Sequence, residues 1–82
     1  GHYKQQQFQR MVRWDRYKYV AHLEDRDELY DLEEDPHEMD NRIDDSLMRD
    51  VRTVMRMRLW SLMEKYEDTG PEYQALLEQK QG

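Results

Sequence analysis

Glu28-Leu29-Tyr30-Asp31-Leu32-Glu33-Glu34-Asp35-Pro36-His37-Glu38-Met39-Asp40-Asn41 decides how this chain folds. Leu29 to Leu32 reads as a short strand with Tyr30 and Leu32 on one face. Asp35-Pro36 ends it, because Pro lacks the N–H a β-ladder needs and restrains the residue before it. An acidic turn follows over 33–45. Asp35, Asp40, Asn41, Asp44, Asp45 and Ser46 all carry side chains that bond nearby backbone groups. Any of the last three can cap a helix, and acids there suit its dipole.

Working upstream, Phe8 to Trp14 places Phe8, Arg10, Val12 and Trp14 on one face and Gln9, Met11 and Arg13 on the other. Tyr17 to Leu23 alternates again, with Tyr17, Tyr19, Ala21 and Leu23 opposite Lys18, Val20 and His22. Asp15-Arg16 between them is the length of a hairpin turn, although no Gly supplies the usual positive φ. Working downstream, Met48, Val51, Met55, Leu59, Leu62, Met63 and Tyr66 trace one face of a long helix over 46–67. Val54 and Trp60 widen that stripe, while Arg49, Arg52, Arg56 and Glu64 lie mostly opposite. Gly70-Pro71 stops the helix. A second, short helix over 71–79 would use Tyr73, Leu76 and Leu77, with fraying from Lys80. The expectation is an α+β unit spanning 1–82: a small antiparallel sheet (hairpin plus third strand, 8–32) covered by one long C-terminal amphipathic helix.

Eighty-two residues allow one small domain, and a chain of this size buries only about 60–65% of its unfolded surface. Apolar residues make up 37% and charged residues 39%, but nine aromatics and six Met supply material for a core. The absence of Cys excludes disulfides and thiolate metal sites. No apolar run approaches the ~18 residues of a membrane span. Charge is sorted along the chain: residues 1–23 are net +4, 24–45 net −10 and 46–82 net 0. The basic hairpin and the acidic turn can neutralise each other within the fold.

The acidic run could hold Ca²⁺, but it lacks the Asp-x-Asp-x-Asp-Gly of an EF-hand loop. The competing role for Asp31, Asp35 and Glu38 is to bond backbone N–H groups, or Arg10 and Arg13. His2, His22 and His37 have no metal-ligand spacing. The basic aromatic stretch from Lys4 to Tyr19 could stack on bases and neutralise phosphates. Aromatics also favour strands, and the net charge of −6 argues against nucleic acid. The Met-rich helix could take a partner helix, but the strands need a cover of their own. Its polar face is not cationic enough in net terms to favour a membrane surface.

Arg13-Trp14-Asp15-Arg16-Tyr17-Lys18-Tyr19 followed by Glu28 to Asn41 resembles the C-terminal end of formylglycine-type sulfatases, in the alkaline phosphatase superfamily. There a segment like Arg-Thr-x-Arg-Tyr-Lys-Tyr precedes one like Glu-Leu-Tyr-Asp-Leu-x-x-Asp-Pro-x-Glu-x-x-Asn-Leu. The match is dense over residues 10–41. Trp14 stands where the family often has Thr, and Arg42-Ile43 follows Asn41 where the family usually has Leu first.

The resemblance implies a C-terminal subdomain that docks on a large α/β catalytic domain of the same protein. It implies calcium and formylglycine for that parent, but no cofactor in this segment. The formylglycine arises from a Cys/Ser-x-Pro-x-Arg motif. This chain has no Cys, and Ser46 and Ser61 are followed by Leu47-Met48 and Leu62-Met63. No catalytic residue and no metal ligand carries over. His2, Tyr3 and Lys4, in the entering loop, are the candidates to approach substrate in the parent enzyme. Two further readings stay open: a stand-alone protein–protein interaction module and a small nucleic-acid binder. The expected partners are the parent's catalytic domain and, through an uncovered edge, a second copy, with neither nucleic acid nor membrane. Compartment is not legible.

Overall fold

The computed structural model describes residues 9–23, 25–66 and 70–81. Two residues turn the chain between β1 (Gln9–Trp14) and β2 (Tyr17–His22), which pair antiparallel with Val12 opposite Tyr19 and Trp14 opposite Tyr17. Asp15 takes the left-handed conformation, φ 56°, that a glycine would otherwise supply. Asp tolerates it better than most residues. Strand β3 (Glu28–Asp31) pairs antiparallel with β2, placing Leu29 opposite Tyr19, so the sheet runs β1-β2-β3. The hairpin was expected to start at Phe8, which lies outside the described residues.

Period-two alternation puts Val12, Tyr19, Ala21 and Leu29 on one face of the sheet, where they join the core. Tyr30 points the other way. The strand ends at Asp31, so Leu32 belongs to the turn and not to the face it was expected to share with Tyr30. Leu29, not Tyr30, is the residue that meets the helices: Leu29 is fully buried in the shared core.

The acidic turn is held as an Asp-rich turn should be. The Asp35 carboxylate accepts the Met39 and Asp40 N–H groups, both at 2.9 Å. Asp31 accepts the Glu33 and Glu34 N–H groups and takes the Arg16 guanidinium in a two-point bond at 2.9 and 2.8 Å. That fork, helped by the two N–H groups, holds the Asp31 carboxyl below its usual range against the cost of burial. Lys18 reaches Glu38 at 2.7 Å. The cations on Asp31 and Glu38 are therefore Arg16 and Lys18, where Arg10 and Arg13 were expected. Asn41 bonds the turn to β3, its side-chain oxygen accepting from Leu29 N–H at 2.9 Å. Arg42 N–H returns to the Leu29 carbonyl at 2.7 Å. The outer edge of β3 is thus engaged by its own turn.

Asp45 caps the helical segment, accepting the Leu47 N–H at 2.9 Å. One short 3₁₀ turn (Ser46–Met48) leads into α1 (Arg49–Lys65). Met48, Met55, Leu59 and Met63 are buried, with Val51 and Trp60 packed beside them. Leu62 and Tyr66, placed on the same stripe by spacing, are 39% and 72% exposed. A second helix, α2 (Pro71–Gln81), opens on Pro, whose missing N–H has no intrahelical partner in the first turn. It buries Tyr73 and Leu76 in the common core. The second helix expected over 71–79 is thus present and runs to Gln81, so that Lys80 is engaged rather than frayed.

Candidate functional site

Two features go beyond packing. The first is an ionic hub at Asp27, which is 4% exposed at the end of the β2–β3 loop. Its carboxylate accepts the Tyr19 hydroxyl at 2.5 Å and the His22 N–H at 3.1 Å. Lys80 of α2 lies 3.0 Å away and Arg56 of α1 3.8 Å away. Arg56 also donates to the Tyr19 oxygen at 2.6 Å. Burial, then the bond to Asp27, pushes the Tyr19 hydroxyl above its ordinary range. Tyr19 is fully buried, so no substrate can reach it. The hub ties sheet, loop and both helices together.

On the opposite face, the Tyr30 hydroxyl and the His22 ring both bond Glu28. Burial and then Glu28 push Tyr30 up to about 12. Burial opposes the Glu28 charge, but the bonds from Tyr30 and His22 outweigh it and hold Glu28 below its usual range.

The second feature is a groove of about 520 Å³ between β1 and α1. Its apolar wall includes Val12, Trp14, Val54, Met57 and Leu62. Arg13, Arg58 and Lys65 line it with Ser61. The Arg58 guanidinium lies 3.8 Å from the centre of the Trp14 ring, a cation–π stack. A smaller hollow of about 300 Å³, lined by Met11, Leu62 and Tyr66 among others, continues along the same two elements.

A model of the family described as N-sulphoglucosamine sulphohydrolase, C-terminal, matches residues 2–65. The chain belongs to this sulfatase C-terminal family. It is also similar to the uncharacterized sulfatase YidJ of Escherichia coli (strain K12), at 45% identity over 60 residues. That match takes in 73% of this chain but 12% of the relative. No solved structure matches the chain.

Within this sulfatase C-terminal chain, His2, Tyr3 and Lys4 lie outside the described residues. His22 is bound to Glu28, and His37 is exposed on the turn. Among the described residues no group of three or more His, Cys, Asp or Glu converges as a metal site would require. No described helix is long and apolar enough to cross a membrane. The hub at Asp27 escaped sequence reasoning, since Glu24-Asp25-Arg26-Asp27 is a run of charged residues with the pattern of a polar loop. The groove had a signal: Val54, Met57, Arg58, Ser61, Leu62 and Lys65 repeat at helical spacing, a second stripe beside the core stripe.

Proposed function

We propose that this chain is the C-terminal, non-catalytic part of a sulfatase. Its role is to pack on the catalytic domain of the same polypeptide. The observation that carries the reading is the family match over residues 2–65, joined to a relative of which the chain spans only 12%. The chemistry agrees. A sulfuric ester hydrolase needs a nucleophile and a charge-stabilising group open to substrate. Here the most perturbed hydroxyl, Tyr19, is buried, and its neighbours satisfy one another.

Calcium and formylglycine belong, on this reading, to the rest of the polypeptide. The residues of this chain do not fit either group. There is no Cys, neither Ser sits in a Cys/Ser-x-Pro-x-Arg motif, and Asp27, Asp31 and Asp35 are engaged with backbone N–H groups and cations. His2, Tyr3 and Lys4 would border the mouth of the parent's pocket. The test is sulfate release from an aryl sulfate by this chain alone and by the complete polypeptide. The expected result is activity only in the complete polypeptide, falling when residues 1–82 are deleted. Hydrolysis by the 82-residue chain itself would overturn the proposal.

A further inference from the structure

Ten of the 13 Lys and Arg lie outside the groove between β1 and α1. Most of those described have a polar partner: Arg16 on Asp31, Lys18 on Glu38, Arg42 on Asp45, and Arg56 and Lys80 on Asp27. Arg13, Arg58 and Lys65 have no carboxylate partner among the described residues, and all three line the groove. Trp14 and Val54, each 40% exposed, lie in the same groove with Met57, 64% exposed. The strand beside it, β1, ends the sheet on the side opposite β3 among the described residues.

We infer that this groove is the docking surface for the catalytic domain, and that it receives an apolar segment flanked by Asp or Glu. The inference rests on the packing role proposed above and names the face that performs it. Three observations choose the occupant. Unmatched cations around an apolar wall call for carboxylates around an apolar insert, the charge complementarity of a specific interface. The first eight residues of this chain, Gly1-His2-Tyr3-Lys4-Gln5-Gln6-Gln7-Phe8, carry no acid and so offer these cations nothing. A second copy could offer its acidic turn, with Met39 83% exposed. That contact would pair two unlike patches, either reciprocally across a two-fold axis or head to tail, and in either form protection of the groove would depend on protein concentration. The relative extends far beyond the 12% of its length that this chain matches, and that further polypeptide is the occupant inferred.

The experiment uses the complete polypeptide and follows maleimide labelling by mass spectrometry at two introduced thiols. Ser61→Cys sits in the groove and Met39→Cys on the acidic turn. The expected result is labelling at Ser61→Cys at least tenfold slower than at Met39→Cys. Adding Arg58→Glu, which sets a carboxylate against the incoming carboxylates, should restore most of the labelling rate. Fast labelling at Ser61→Cys with protection at Met39→Cys would overturn the choice of face and leave the packing role standing. Fast labelling at both would overturn the face and the packing role together. Protection that grows with protein concentration would assign the groove to a second copy. Protection untouched by Arg58→Glu would remove the acidic partner.

Discussion

Replacing Asp27 by Ala tests whether the hub holds the fold. Two donors lose their acceptor: the Tyr19 hydroxyl, on a fully buried side chain, and the His22 N–H. The stranded, buried Tyr19 hydroxyl costs about 1–3 kcal/mol, and the part-buried His22 N–H adds a smaller amount. Lys80 and Arg56 add less, because long cationic side chains can turn toward water. At about 0.05–0.15 kcal/mol per residue, a chain of this length has about 4–12 kcal/mol of net stability. Asp27→Ala therefore removes a large fraction of it. Urea unfolding followed by Trp fluorescence should show the midpoint falling by about a quarter or more. The decisive comparison is with Tyr19→Phe, which deletes the hydroxyl that would be stranded. In that background Asp27→Ala should cost about 1–3 kcal/mol less. Strict additivity of the two substitutions would refute the reasoning, since it would mean that the hydroxyl does not depend on this carboxylate.

Leu59→Ala should destabilise the chain by about 2–5 kcal/mol in the same urea assay, because Leu59 is 1% exposed and its loss leaves a cavity. Leu62→Ala, at the groove, should change stability far less. The alkaline limb of stability has a defined sign. Tyr19 and Tyr30 titrate higher in the fold than an ordinary phenol, Tyr30 at about 12. Their contribution is complete below about pH 10, the value for an unfolded Tyr, and is lost as pH rises toward the folded value. Thermal melts should be independent of these groups at neutral pH and fall from about pH 10 upward. Tyr30→Phe should flatten that fall, and an unchanged slope in the variant would discount Tyr30 as its source.

Much of the fold could be read from local pattern. Alternation placed Tyr19 and Ala21 opposite Val20 and His22, and helical spacing found Met48, Met55, Leu59 and Met63. Both periods are properties of neighbouring residues, so one sequence carries them. The misses are long-range. Asp27 is buried because Arg56 and Lys80 converge on it from two helices distant in sequence. The choice of Arg16 over Arg10 or Arg13 depends on the hairpin turn lying beside the end of β3, which is a matter of register. Leu62 keeps the apolar spacing of its stripe, yet it lines the open groove between α1 and β1 and stays 39% exposed. Spacing identifies a face of a helix and does not say what will cover it.

The Arg58–Trp14 stack shows how the groove can hold a cation ready without a partner of its own. The Arg58 guanidinium carbon sits 3.8 Å from the centre of the Trp14 ring, and a guanidinium that stacks on an aromatic face can still offer N–H donors to a carboxylate. The stack also restrains a flexible side chain before any partner arrives, which reduces the ordering cost of binding. A Lys at position 58 would keep the charge but lose the planar fork. It would also be more strongly hydrated and therefore harder to bring into an apolar interface. The arrangement of residues around this groove follows the same physical logic. Charges at the rim of an interface escape full desolvation and serve orientation, while the apolar centre supplies most of the burial. Two carboxylates, Asp27 and Asp31, are buried where β-strand ends need acceptors, and Asp35 holds the turn by accepting backbone N–H groups. The charged residues lining the β1–α1 groove are all cations, Arg13, Arg58 and Lys65, on a chain whose net charge is −6.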